Sequence, residues 1–81
     1  PSAQADAEAC FMTAIDIARR QKAKSLELRA TTSLARLLHR QGRNEEARQR
    51  LAQIYGWFTE GFDTADLQEA KVLLEEIGVA S

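Results

Sequence analysis

The sequence predicts an all-α chain of four helices. Three observations carry that prediction. Apolar residues recur at spacings of three and four in four consecutive stretches, no window alternates apolar with polar residues, and one Pro and four Gly leave few breaks in 81 residues. The length fits one domain, residues 1–81, near the size at which a single core supplies only about 3–5 kcal/mol.

The first helix is expected over about 4–21. Ala7, Phe11, Ala14 and Ala18 form its stripe, widened by Cys10, Ile15 and Ile17, with Asp6 and Glu8 near the start and Arg19, Arg20 and Lys22 near the end. Cys10, beside Phe11 and Ala14, reads as a buried thiol. The second helix spans about 25–41, with Ser25 as N-cap, an inner face of Leu34, Ala35, Leu37 and Leu38, and Gly42 just past its end. The third opens at Asn44, carries Glu45 and Glu46 in its first turn and runs to 58. Its stripe is Ala47, Leu51, Ile54 and Phe58, and Gly56 near its end serves close packing or a loosened last turn. After a loop over 59–64 the fourth runs over about 64–77, capped by Asp63 or Thr64 and ended by Gly78. Leu67, Ala70, Leu74 and Ile77 align on it with Leu73 beside them.

Composition excludes several function classes. One Cys rules out an internal disulfide and argues for a reducing compartment, the cytoplasm. One His and one Cys cannot build a zinc site of the usual kind, and no glycine-rich loop could cradle a phosphate-bearing cofactor, so neither metal nor cofactor is expected. Catalysis has no constellation to use: near His39 on its helix stand Ala35, Arg36, Gly42 and Arg43, neither nucleophile nor acid. No apolar run is long enough for a transmembrane helix.

Charge is segregated. Residues 1–18 sum to −3, residues 19–50 to +7 and residues 51–81 to −5. Arg29, Arg36 and Arg40, seven and four residues apart, project from one face of the second helix, with Thr32 and His39 on or beside it. A planar guanidinium fork suits carboxylates, so the face fits an acidic peptide or a C-terminal carboxylate. The alternative is a solvated cationic face. A net charge of −1 and a pI near 5.8 argue against nucleic acid. Trp57, Phe58 and Phe62 form an aromatic cluster that either fills the space between the third and fourth helices or leaves a partner contact exposed.

Ala47, Leu51 and Ile54 follow Ala7, Phe11 and Ala14 at a constant offset of 40 residues, a period in the range of helix-pair solenoids. The string Leu34-Ala35-x-x-Leu38-x-x-x-Gly42-x-x-x-x-Ala47-x-x-x-Leu51-x-x-Ile54 resembles the tetratricopeptide repeat, with Ala7, Phe11 and Ala14 in the second helix of a preceding repeat. Thr31 stands where that family prefers Trp, Leu38 where it prefers Tyr and Thr59 where Pro often ends the repeat. The resemblance implies antiparallel hairpins stacked as a right-handed solenoid fragment. It also implies that the first helix of each hairpin lines a concave groove, which puts Arg29, Thr32, Arg36, His39 and Arg40 at groove positions. The family's carboxylate clamp of Asn and Lys is not matched.

The tail from Tyr55 to Lys71, followed by Leu73-Leu74 and marked by the string Gly56-Trp57-Phe58-Thr59-Glu60-Gly61-Phe62-Asp63, resembles the C-terminal end of large bacterial signalling proteins that join a class III adenylate/guanylate cyclase or a DNA-binding regulator to a P-loop ATPase and a helical-repeat tail. This implies a non-catalytic interaction or coupling module, with the cyclase and ATPase chemistry elsewhere in the parent. The start at Pro-Ser-Ala without Met fits an excised C-terminal segment. The other reading is a packing or dimerisation cap without a groove ligand, in which a first helix lacking its hairpin partner pairs two copies.

Overall fold

The computed structural model describes residues 3–58 and 65–80, with the side chains of 6–58 and 65–78. Those residues form four α-helices and no strand: α1 Ala3–Arg20, α2 Lys24–Arg40, α3 Asn44–Trp57 and α4 Ala65–Ala80. The all-α reading holds, with α3 starting at Asn44 as expected and the other helix ends shifted by one to three residues. Gly78 does not end α4, which continues to Ala80. The caps expected at Asp63 or Thr64 lie outside the described residues.

Two turns of the same build connect the first three helices. At the end of α2 the amide of Gly42 donates to the carbonyl of His39 (3.1 Å) and the amide of Arg43 to that of Leu38 (2.9 Å). This crossed pair is a Schellman motif, which satisfies the last carbonyls when the residue between them turns left-handed. Gly42 does so at φ 80°. Twenty residues earlier, Lys22 donates to Arg19 (3.1 Å) and Ala23 to Ala18 (2.9 Å), with Lys22 at φ 56°. Ser25 is not the N-cap of α2. The helix begins at Lys24 after Ala23, and α3 begins after Arg43, neither with a side-chain cap. The carbonyls of Ala23 and Arg43 accept the first helical bonds, from Glu27 and Ala47.

A left-handed conformation costs an L-residue roughly 1–2 kcal/mol, partly offset in the comparison with Gly by glycine's looser unfolded chain. Lys22→Gly is therefore expected to stabilise the fold by about 1 kcal/mol. Gly42→Ala should destabilise it by a similar amount, although nothing lies within 4 Å of the added carbon. Denaturant unfolding of both variants checks the pair, and opposite signs are the expected result.

α2 is the central element and packs against all three others, while α4 packs against both α2 and α3. Ion pairs fix the directions. Glu8 and Arg19 on α1 bond Arg43 and Glu27 respectively, so α1 runs against α2. Arg29 and Arg36 on α2 pair with Asp66 and Glu69 on α4 in the same order, so α4 runs alongside α2 in parallel. The three-residue turn 41–43 folds α3 back on α2 as a helical hairpin.

One core joins the four helices. Leu28, Leu34, Ala35 and Leu38 of α2 meet Ala47, Leu51 and Ile54 of α3 and Leu67, Ala70, Leu73 and Ile77 of α4, with Ile15 of α1. The inner faces expected for α2 and α3 are thus buried, save that Leu37 is half-buried and that Phe58, half-buried too, lies just past the end of α3. On α4 it is Leu73, not Leu74, that points fully inward. The stripe of α1 is rotated from expectation: Ile15 and Ala18 are buried, Ala7 and Phe11 are half-buried, and Ala14 and Ile17 are exposed. Cys10 is exposed and not a core thiol. The rotation follows from packing, because α1 touches only α2 and needs a narrow stripe at Phe11, Ile15 and Ala18. Gly56 is exposed with open space around it, so it serves no close approach.

Candidate functional site: the outer face of α2

The arginine stripe lies between α1 and α4. Arg29 Nε stands 3.8 Å from Asp66 Oδ1, and Arg36 donates from Nη2 to Glu69 Oε1. Seven residues on α2 thus match three on α4, two charged rungs across one seam. All four side chains are at least two-fifths exposed, so each pair contributes at most about 1 kcal/mol. A cleft of about 190 Å³ between the helices is walled by these four residues and floored by Thr32 and Ser33. The three arginines are therefore not all open to a ligand: Arg29 and Arg36 pair with acids of α4.

Arg40 is the member that remains. Among the described residues it has no ion pair or hydrogen bond. It lines a cleft of about 300 Å³ between α1 and α2, walled by Ala7, Phe11, Ser33, Arg36 and Leu37. A free guanidinium beside half-buried apolar walls can take a carboxylate and cover an adjoining apolar side chain.

Thr32 and His39 each spend a polar atom inside the fold. Thr32 is buried, and its hydroxyl donates to the Leu28 carbonyl at 2.8 Å, one turn back on its own helix. His39 is half-buried, with Nδ1 2.6 Å from Asn44 Oδ1, and so joins the end of α2 to the start of α3. Thr32 reaches the outer face only as the floor of the Arg29–Arg36 cleft, and His39 is partly covered at the α2–α3 junction.

The aromatic cluster divides. Phe58 packs on the core and meets Trp57 edge-on at 5.0 Å between ring centroids. Trp57 does not fill the space against α4. It is 54% exposed and its ring lies 5.4 Å from Lys24 Nζ at the start of α2. Phe62 lies outside the described residues.

Two charged constellations escaped the sequence reading. Arg43, in the α2–α3 turn, donates from Nη1 to Glu8 of α1 (2.9 Å) and from Nη2 to both carboxylate oxygens of Glu46 (2.8 and 2.9 Å). The hydrogen bonds to Glu46 and then to Glu8 raise the pKa of Arg43, and the bond from Arg43 lowers that of Glu46. Glu27 is buried, with its carboxylate held by Arg19 Nε (3.0 Å) and Lys24 Nζ (3.4 Å). Its signal was readable: Glu27, Leu34 and Leu38 are spaced by seven and four, an acid set inside an apolar stripe.

Among the described residues no group of three or more His, Cys, Asp or Glu is arranged to hold a metal, and no described helix is long and apolar enough to cross a membrane. No protein-family model matches the chain, and neither a curated protein nor a solved structure matches it.

Proposed function

We propose that the chain is a tetratricopeptide-like segment of a right-handed helical array that works by protein–protein contact and has no catalytic role. Its contact surface is the outer face of α2. The observation that carries this reading is the order of neighbours. α2 and α4 lie side by side and parallel, α3 folds back between them, and α1 flanks α2 on the other side. That order is the one a helix-hairpin array requires, with the first helices of successive hairpins lining the inner face. On this reading Ala35 and Ala47, both fully buried, are the small residues that let a hairpin close. The resemblance of the Gly56–Asp63 string supports a place at the C-terminal end of a cytoplasmic bacterial signalling protein, coupling that protein to a partner.

The ligand is an acidic or C-terminal peptide whose carboxylate meets Arg40 and whose apolar side chain covers Phe11 and Leu37. A peptide ending in a free carboxylate should shift the amide resonances of Ser33, Leu37 and Arg40, with affinity falling as salt rises. The amidated peptide should bind more weakly. Arg40→Glu should abolish the response without loss of helicity, because an exposed, unpaired charge contributes little to the fold. Binding unchanged by Arg40→Glu would remove this site.

A second reading has its own support. Arg29 and Arg36 are spent on α4, while Met12 and Ile17 of α1 stand exposed, as a packing or dimerisation cap requires. Concentration-dependent sedimentation that Ile17→Lys abolishes, with no peptide response, would favour the cap.

A further inference from the structure

The opposite side of α2 carries a cleft of different chemistry. Glu27 and Arg36 are nine residues apart, two and a half helical turns, so they point in opposite directions. On the Glu27 side, α1 and α3 do not pack against each other, and a cleft of about 110 Å³ opens between them over α2. Arg19 enters from α1, Lys24 from α2 and Arg50 from α3, with Gln53 and the Trp57 ring on the α3 wall.

The charges there do not cancel. Glu27 takes one bond from Arg19 Nε and one from Lys24 Nζ, and Arg50 spends Nε on Glu46 at 3.4 Å. Glu46 is already held by both bonds from Arg43. Three cations thus meet at the cleft: Arg19 and Lys24 share one buried carboxylate, and Arg50 shares Glu46 with Arg43. The terminal guanidinium nitrogens of Arg19 and Arg50 have no partner among the described residues. The Thr31 hydroxyl on the floor also makes no hydrogen bond there. Bound to Glu27 on one side, Arg19 and Lys24 are held in place with donors to spare.

From this we infer that the cleft is a binding site for a phosphate monoester. The volume is far below the roughly 300 Å³ and above of an organic-ligand pocket, yet it equals several waters at roughly 30 Å³ each, the scale of one anionic headgroup. A phosphate monoester carries about −1.5 to −2 charges at pH 7 and three acceptor oxygens, one for each of the three cationic side chains that line the cleft. A carboxylate offers two acceptor oxygens and leaves one of the three cationic side chains without one. The monoester arrives either as a phosphorylated side chain of a partner protein or as a small phosphorylated metabolite.

Trp57 is the only tryptophan and lines the cleft, so its fluorescence reports occupancy. The whole chain is titrated with a phosphoserine peptide, with the same peptide unphosphorylated and with glycerol phosphate, at constant ionic strength. Saturable change is expected with the monoesters only, weakening below about pH 6 as the second phosphate proton returns. Amide shifts should centre on Thr31 and Gln53. Arg50→Gln and Gln53→Glu should each weaken binding about tenfold or more. Arg40→Glu should leave it unchanged, which separates this site from the outer face of α2. The phosphopeptide binding more tightly than glycerol phosphate assigns the source to a protein, and equal affinities assign it to a metabolite. Absence of a saturable response to either monoester overturns the inference. So does a response that both cleft variants keep while their melting curves remain native.

Discussion

Leu38→Ala and Leu51→Ala should each lower stability by about 2–5 kcal/mol. Both side chains are fully buried, one on α2 and one on α3, in the single cluster that joins all four helices. Truncation removes the transfer free energy of the lost carbons and leaves a cavity that the neighbouring helices cannot close without shifting. A chain of this size holds only about 3–5 kcal/mol in its core, so either change should leave much of the population unfolded at room temperature. Circular dichroism during denaturant unfolding measures the loss. Leu26→Ala, at a side chain 51% exposed, is the control and should fall within about 0.5 kcal/mol of the parent. Losses that small at Leu38 and Leu51 would mean that the inner faces of α2 and α3 lie elsewhere.

Enlarging Ala35 or Ala47 should cost about 1–3 kcal/mol through overpacking. Both residues are fully buried members of the core at the α2–α3 hairpin, where a larger side chain must push the helices apart. Ala35→Leu and Ala47→Leu test this directly. Ala14→Leu is the informative comparison, because Ala14 matches Ile54 in the 40-residue offset yet is exposed. It should be close to neutral. Equal destabilisation at all three positions would restore the unrotated stripe for α1 and contradict the packing of that helix on α2.

Sequence alone reached the helices because they depend on local rules. Spacing of apolar residues located α1 to α4, and Gly42 marked the end of α2 because a left-handed turn there suits glycine. The equivalent turn at Lys22 was invisible, since lysine, unlike glycine, gives no local sign of a positive φ. Within the candidate sites the pattern is similar. Spacing put Arg29, Arg36 and Arg40 on one face, but not which of them α4 would neutralise. Asp66 and Glu69 lie 37 and 33 residues from their partners, and nothing local couples such positions.

The helical character of the chain, the inner faces of α2 and α3, and the shared face of the three arginines are legible in the residues alone. Each is a property of one helix, written by periods of three and four and by residue type. Packing between helices set the rotation of α1, the burial of Thr32, the exposure of Cys10 and the lack of a partner for the Arg40 side chain among the described residues. It also brought Arg19, Lys24 and Arg50 around Glu27. These depend on which neighbour covers each flank of a helix, and burial and ion pairing belong to the space between helices.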